Sequence, residues 1–503
     1  MSKPRDASYT QILKSSAIVG GAQGIDILIR MVRTKIVAVL LGPSGVGLVS
    51  LYETTINFAG QLSNLGIQSS AVRQVAEAYG SDDFDRIGRT VLVLRRACWI
   101  TGLLGWLLTI ACAGPLSTWA FGSPERSWAL GILGATLLIS NVSGGQTALL
   151  QGSRRIADLA RVMIFSSTAG TLVSLGLYAW LGERGIVPVL LCSAVTNLAC
   201  SWWFSRRVSA PPAVLKWTEI AREARPLIFL GMAFMWGGLL TAGVAFATRG
   251  LITQGMGIEA NGIYQAAWGI SGLFAGFVLN AMGQDFYPRL TAVAGRNDSV
   301  NLLVNEQTEV GILLALPGLL ATLAFSPLAV QIFYTGKFID AALLLPWFVL
   351  GVFGRVISWP IGYIQVAKGA SITFAVSETT ANTLHLLFIW FGLKYWGLVG
   401  VAMAFAALYA CYSAVLYLIA VRLSGFRWSG AVLRLIASSA LLIGAQFCVP
   451  HLLAGTAALV ASLLLVVCSG VYSLRQLTFR VGPQHPISRL VAAVPGLGRY
   501  LKT

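Results

Sequence analysis

Apolar residues are gathered in long blocks along this chain, and fourteen blocks can be marked. They run at 12–41, 46–79, 90–116, 128–151, 157–182, 185–205, 224–252, 260–288, 307–334, 339–365, 370–394, 397–421, 431–449 and 452–474. Each reaches, or falls within a residue of, the ~20 residues that a helix needs to cross a ~30 Å hydrocarbon core. The pattern predicts an all-α integral membrane protein with about 14 transmembrane helices. Basic residues then set its direction. With the N-terminus cytoplasmic, the inner loops and tails collect 27 of the 36 Lys and Arg, and the outer loops hold only Arg126, Arg184, Lys337 and Lys394. That asymmetry is the positive-inside rule, and it places both termini in the cytoplasm.

Composition adds exclusions. The chain is 56% hydrophobic and 11% charged, with mean hydropathy +0.74, which rules out a soluble core-and-surface protein. Its formal charge of +17 is spread over short inner loops beside apolar blocks. Such charge faces anionic membrane lipid, and no nucleic-acid partner is expected. The seven cysteines lie in or near apolar segments without a CxxC pair or a His-Cys spacing, so they read as packing residues. No metal and no cofactor are expected. The first segment follows a short basic tail and lacks a cleavage-site pattern, so it should remain in the protein. The longest inner connection, 205–225, contains Pro211 and Pro212 and divides the chain near its middle.

Across that division the halves resemble each other at an offset of 215 residues. LGPSGVG, with Gly42 and Gly47, joins helices 1 and 2; MGIEANG, with Gly257 and Gly262, joins helices 7 and 8. Arg33-Thr34 matches Thr248-Arg249 at the same offset. Six helices per copy is an even number, so both copies run the same way and are expected about an axis along the membrane normal, with a site between them. The expected organisation is an N-terminal lobe at 1–212, a second lobe at 213–428, and two extra helices with a cytoplasmic tail at 429–503.

Ionisable groups inside a bilayer are costly, so each is a candidate site residue. In helix 1, Gln23, Asp26, Arg30 and Arg33 fall on one narrow face, and Asp26 and Arg30 are an i, i+4 pair. Lys35 lies opposite, near enough to the outer end to snorkel. Helix 2 carries Glu53, Asn57, Gln61, Asn64 and Gln68 along one stripe. A wall of amides suits a hydroxyl-rich ligand; interhelical hydrogen bonding is the alternative, and explains five such residues poorly. Helix 8 presents Gln265, Gly269, Gly272, Gly276 and Asn280, which reads more as a close packing seam than as a site. Helix 11 carries Glu378, Asn382 and His385 at i, i+4, i+7, candidates for ion coupling. Arg249 and Arg355 complete the buried cations. No P-loop, nucleophile elbow or metal-ligand cluster occurs, which argues against direct ATP use.

The stretch LGPSGVGLVSLYETTINFAGQLSNLGIQSSAVRQVAE resembles the helix 1–2 signature of polysaccharide flippases in the MATE-like (MOP) exporter superfamily. The stretch from Tyr334 to Glu378, with Lys337-Phe338, Trp347, Gly351, Gly362-Tyr363 and Ala367-Lys368, resembles the Wzx branch that handles O-antigen and enterobacterial common antigen. The similarity covers about residues 10–425. Family members commonly have twelve helices, so the last two here are a departure whose role is open. The resemblance implies a MATE-like fold of two six-helix lobes in a V around a central cavity. It also implies transport of an undecaprenyl-pyrophosphate-linked oligosaccharide from the cytoplasmic to the outer leaflet of a bacterial inner membrane, driven by an ion gradient or potential. A polysaccharide polymerase and chain-length machinery are the implied pathway partners. Within that expectation Arg30, Arg33, Arg249 and Arg355 would hold the pyrophosphate in forked contacts. Gln23, Asp26, Glu53, Asn57, Gln61 and Asn64 would line the glycan path. A multidrug or cation antiporter of the same fold and a lipid II flippase remain alternatives. A membrane polymerase is disfavoured because the outer loops are short.

Overall fold

The computed structural model describes the backbone of residues 3–80, 83–208 and 211–481. It describes side chains for all of these except 3–20, 69, 221, 226–230, 233–234, 274–275, 277–278, 280–285 and 479–481. The tail at 482–503 and the side chain of Asn280 therefore lie outside the described residues. What is described is helical, without strands. In chain order the helices are α1 (Lys3–Asn64), α2 (Ile67–Gly80), α3 (Phe84–Ala111), α4 (Ala113–Phe121), α5 (Ser127–Leu133), α6 (Ala135–Gly152), α7 (Ile156–Leu181) and α8 (Ile186–Ser205). There follow α9 (Trp217–Ala292), α10 (Asn297–Ala324), α11 (Ser326–Phe333), α12 (Ala341–Ala367), α13 (Ser371–Ser424), α14 (Gly430–Leu452) and α15 (Gly455–Val481).

Ten helical stretches among the described residues are long and apolar enough to cross a membrane. Four of them are interrupted, and glycine makes each break. Gly42 (φ 64°, ψ −170°) bends α1, Gly257 (φ 89°, ψ 172°) bends α9 and Gly397 (φ 58°, ψ −140°) bends α13. Gly182 (φ 56°, ψ −133°) ends α7 ahead of α8. An L side chain in this region of φ/ψ costs ~1–3 kcal/mol, so only glycine adopts it without strain. Gly42 and Gly257 are 215 residues apart, as are Gly182 and Gly397. Arg154 (φ 57°) and Gly369 (φ 69°) are a third pair at that spacing. The repeat seen weakly in sequence is therefore present in the backbone.

The chain forms two compact units, one of residues 1–262 with 333–335, the other of 263–332 with 336–503. The 217–256 arm of α9 packs within the first unit. Between lipid-soluble helices the hydrophobic effect no longer distinguishes inside from outside, and small residues that permit close approach decide the packing. In the first unit Gly102 lies on Leu138, Gly105 on Ser63 and Gly152 on Val75. Near the joint, Gly47 packs on the Ile258 backbone, Gly262 on the Pro43 carbonyl, and Asn261 donates to the Gly47 carbonyl at 3.0 Å. In the second unit Gly351 sits on the Phe405 ring and Gly354 on Tyr409. There α14 and α15 pack on α10. Asn305 of α10 accepts from the Ser429 amide that opens α14 (2.8 Å), and Gln446 donates to Ser462 of α15 (2.9 Å). Outward faces are apolar: Leu103, Leu104, Leu107 and Leu108 on α3 and Leu459, Leu463, Leu464 and Val467 on α15 are exposed. This inside-out surface is that of a multi-pass membrane protein.

Three expectations change. The second segment, read as one helix over 46–79, breaks at Leu65 (φ 48°) and Gly66 (φ 64°), where the Gly66 backbone abuts Gly231. Lys35 does not snorkel freely; its ammonium donates to the Tyr334 carbonyl. At Gly272 and Gly276 the helix 8 stripe is open among the described residues, because a Cβ added there would meet nothing within 4 Å.

Candidate functional site

The arm of α1 after Gly42 carries the amide stripe, and the stripe faces a cavity. About 520 Å³ in volume, it is walled by Glu53, Asn57, Gln61 and Asn64 of α1, and by Gln68 of α2. The opposite walls are Thr136, Ser140 and Asn141 of α6 and Ser193 and Asn197 of α8. Glu53 and Asn57 are exposed although they stand in mid-helix, because the cavity is what they face. Its size lies within the ~300–1,000 Å³ common for ligand sites, and its lining is unusually rich in amides.

Part of this wall is already satisfied and part is not. Behind it Asn197 donates to Ser143 (3.0 Å), Ser143 meets Ser201 (3.1 Å), and Ser201 donates to Gln146 (2.6 Å). That chain fixes α8 against α6. Asn141, only 5% exposed, leaves its amide nitrogen without a hydrogen-bond partner among the described residues, and the Ser193 hydroxyl is likewise unpaired among them. An unmatched buried donor costs ~1–3 kcal/mol, so a lining that retains two such groups is suited to a ligand that would pair them. Neither residue stood out in sequence. The signal was Ser193, Asn197 and Ser201 at i, i+4, i+8, the same spacing that drew attention to the α1 stripe.

Cations gather at the Glu53 end. Glu53 lies in the field of Arg33 above all, then Arg249 and Arg30. Arg30 pairs with Asp26 at 2.5 Å; the carboxylate is buried and the arginine side chain is 70% exposed. An ion pair with one partner so exposed contributes little stability. Gln23 lies half-buried one turn before Asp26. Arg33 is half-buried beside Tyr178 of α7, a side chain only 2% exposed. Arg249 is buried and committed to its surroundings: Nε donates to Ser50 Oγ at 2.8 Å and Nη1 to the Ala245 carbonyl at 3.2 Å. Three guanidiniums thus stand against two carboxylates, which leaves a net positive end on an otherwise neutral polar wall.

The remaining candidates belong to the second unit. Tyr412 donates to Glu378 Oε1 at 2.6 Å, and Tyr409 lies near both Arg355 and Glu378. Asn382 turns to the backbone carbonyl of Glu378 (2.8 Å). His385 stands beside the Phe405 ring, 6.0 Å between centroids, in a cluster that includes Trp268 and Phe348. Seven residues separate Glu378 from His385, ~10 Å along the helix, and each has its own neighbour. The two do not touch.

Helices broken by glycine, an internally repeated backbone and a polar cavity within apolar helices define a MATE-like fold. Two solved structures share the fold. One is a multidrug resistance MATE family transporter in an inward-facing conformation, with TM-score 0.66 and 15% identity over 80% of this chain and 95% of that one. The other is the lipid II flippase MurJ in an inward closed conformation, with TM-score 0.67 and 13% identity over 92% and 98%. The chain belongs to the family described as Polysaccharide biosynthesis protein, whose profile matches residues 36–343. It is similar to the lipid III flippase of Escherichia coli (strain K12), 23% identical over 386 residues, 75% of this chain and 90% of that protein. The lipid III flippase of Shigella flexneri matches to the same extent. These relatives are flippases and transporters, not enzymes.

Proposed function

We propose that this chain is a flippase that carries an undecaprenyl-pyrophosphate-linked oligosaccharide repeat unit, of the O-antigen or common-antigen kind, from the cytoplasmic to the periplasmic leaflet by alternating access. The observation that carries the reading is one cavity wall in which an amide stripe leads to Arg33, Arg30 and Arg249 around Glu53. Amides exchange hydrogen bonds with sugar hydroxyls as water does, and guanidiniums match a pyrophosphate in forked geometry. An uncompensated charged glycan would face a prohibitive barrier in hydrocarbon, which such a wall lowers. The likeness to lipid III and lipid II flippases supports the substrate class. In this reading both arms of the four interrupted stretches are separate spans, fourteen in all, and the basic inner loops orient both termini to the cytoplasm. Cysteines at Ser44 and Gly455 should then label from outside, and one at Asp83 only after permeabilisation. Ion coupling through Glu378, Asn382 and His385 of the second unit belongs to the same proposal.

The test is reconstitution of the purified chain in vesicles with a fluorescent lipid-linked oligosaccharide, reading how fast its headgroup becomes accessible from the other side. A rate equal to empty vesicles sinks the proposal. A multidrug antiporter of the same fold is the rival, and cationic drugs favour an acidic cavity, whereas the one carboxylate lining this cavity among the described residues, Glu53, lies in the field of Arg33, Arg249 and Arg30. Drug efflux without headgroup translocation would favour that rival, and faster translocation of lipid II than of longer glycans would favour the lipid II alternative.

A further inference from the structure

A second cavity lies on the other side of the α6–α8 pair, away from the amide wall. It is a trough of about 490 Å³ between α3, α6 and α8. Its floor and walls are apolar, with Trp99, Val142, Leu198 and Ala199 along its length, and two guanidiniums, Arg95 and Arg206, stand in its lining. From Val195 to Arg206, the residue that caps α8, the trough follows eleven helical steps, ~16 Å at 1.5 Å per residue. The few other polar groups are already engaged: Gln146 accepts from Ser201, and Ser205 donates to the Trp202 carbonyl. Arg206 lies over the rings of Trp202 (5.1 Å) and Trp203 (3.8 Å), which hold the guanidinium in place and leave its N–H edge to donate. Neither Arg95 nor Arg206 forms an ion pair among the described residues, and both are exposed.

We propose that this trough binds one anionic phospholipid, an acyl chain lying between α3, α6 and α8 and the phosphate held by Arg95 and Arg206. Charge complementarity selects the occupant. A purely apolar ligand would leave both arginines without a counter-charge, and a free anion would leave the ~16 Å apolar trough empty. A single molecule with an apolar chain and an anionic head satisfies both ends. The arginines lie on the side where the chain concentrates its basic loops, which is where basic pockets meet anionic headgroups. The site is separate from the amide-lined cavity, so its occupancy is readable without transport.

Native mass spectrometry of the full chain in neutral detergent, titrated with phosphatidylglycerol or with phosphatidylcholine of the same acyl chains, tests this. The expected result is one tightly held phosphatidylglycerol, bound at least about tenfold more strongly than phosphatidylcholine. The double variant Arg95→Gln/Arg206→Gln should lose that preference. Ala199→Trp, which fills the trough, should lose binding of both lipids, with Ala199→Leu read instead if the larger residue lowers the unfolding midpoint. Arg86→Gln/Arg89→Gln removes the same charge from the start of α3 and should bind as the unaltered chain does. The proposal is overturned by equal binding of the two lipids, by unchanged binding in either trough variant, or by an equal loss in the Arg86/Arg89 control.

Discussion

The arm of α1 that starts beyond Gly42 and the arm of α9 that starts beyond Gly257 share a bend and carry opposite surfaces. Their contacts exchange under the 215-residue offset: Gly47 rests on the Ile258 backbone, and Gly262, its counterpart, rests on Pro43, the counterpart of Ile258. The later hinges keep matched contacts within each copy. Beyond Gly182 a Cβ at Gly185 would meet the Leu177 carbonyl, and beyond Gly397 a Cβ at Gly400 would meet Gly392, the counterpart of Leu177. Side chains do not follow. Where α1 presents Glu53, Asn57 and Gln61 to its cavity, α9 has Trp268, Gly272 and Gly276 at the equivalent positions. Joints are constrained by backbone conformation and close approach, so both copies keep them. A polar cavity lining carries no such backbone constraint, and only one copy has it at these positions.

The largest effects should come from the shared joint. Gly262→Val and Gly47→Val place side-chain carbon against backbone that has no rotamer with which to give way, and each should lose ~3 kcal/mol or more of stability. At Gly42 and Gly257 a Cβ meets nothing, so Gly42→Ala and Gly257→Ala should lose only the ~1–3 kcal/mol of an unfavourable φ. Unfolding midpoints in detergent order the four. A Gly42→Ala variant less stable than Gly262→Val would break the account, and unequal losses at Gly47 and Gly262 would show that the exchanged contacts are not equivalent.

How far the chain could be read in advance follows the same division. Segment ends and the fold class were legible because hydrocarbon imposes length and polarity directly: α12 and α14 begin and end within about three residues of their apolar blocks. The repeat was legible at Gly42 and Gly257 because a positive φ demands glycine. It was invisible at Arg154 and Gly369, where one copy tolerates the conformation with a side chain. The first cavity wall was readable as five polar residues on one face. The opposite wall was not, since Ser and Asn in α6 and α8 are also ordinary helix-packing residues and only tertiary placement shows Asn141 unpaired. The break at Leu65–Gly66 depends on the distant Gly231 backbone, which no local pattern announces.

Next in size are the arginines on the polar arm. Arg33→Lys keeps a charge but loses the fork, so it should express normally and translocate about tenfold more slowly, the equivalent of ~1.4 kcal/mol. Arg249→Lys should lose stability as well, because its guanidinium holds Ser50 and the Ala245 carbonyl. Headgroup translocation at matched protein levels, beside unfolding midpoints, separates the two. Full activity in both lysine variants would reject forked recognition. A stable, fully active Arg249→Lys would also remove the structural role assigned to that fork. Smaller still is Asn141→Leu. Its amide nitrogen has no partner among the described residues, so an isosteric apolar replacement should leave stability equal or slightly higher. If sugars pair with that donor, translocation should fall severalfold, in line with the ~0.5–1.5 kcal/mol of one hydrogen bond. A destabilised Asn141→Leu with normal translocation per folded molecule would mean that the residue serves packing alone.

The smallest effect is expected on the bare arm of α9, and it is the sharpest check on the asymmetry. Glycine within a helix is disfavoured against alanine by ~0.5–1 kcal/mol, and a Cβ at Gly272 or Gly276 meets open space. Gly272→Ala and Gly276→Ala should therefore leave stability unchanged or raise it by up to that amount. If the glycines matter only as empty wall, translocation should also stay within about twofold, well below the ~1.4 kcal/mol that marks a tenfold change. Glycine-to-amide changes that copy the other arm, Gly272→Asn and Gly276→Gln, should fold equally well, since space is available for both. A loss of stability in the alanine variants would show that these glycines are packed, restoring the close seam expected from their spacing. A stable Gly272→Ala protein that no longer translocates would show instead that the space itself is used. In that case the bare arm takes part in transport by being bare, and the two copies divide one task between contact and clearance.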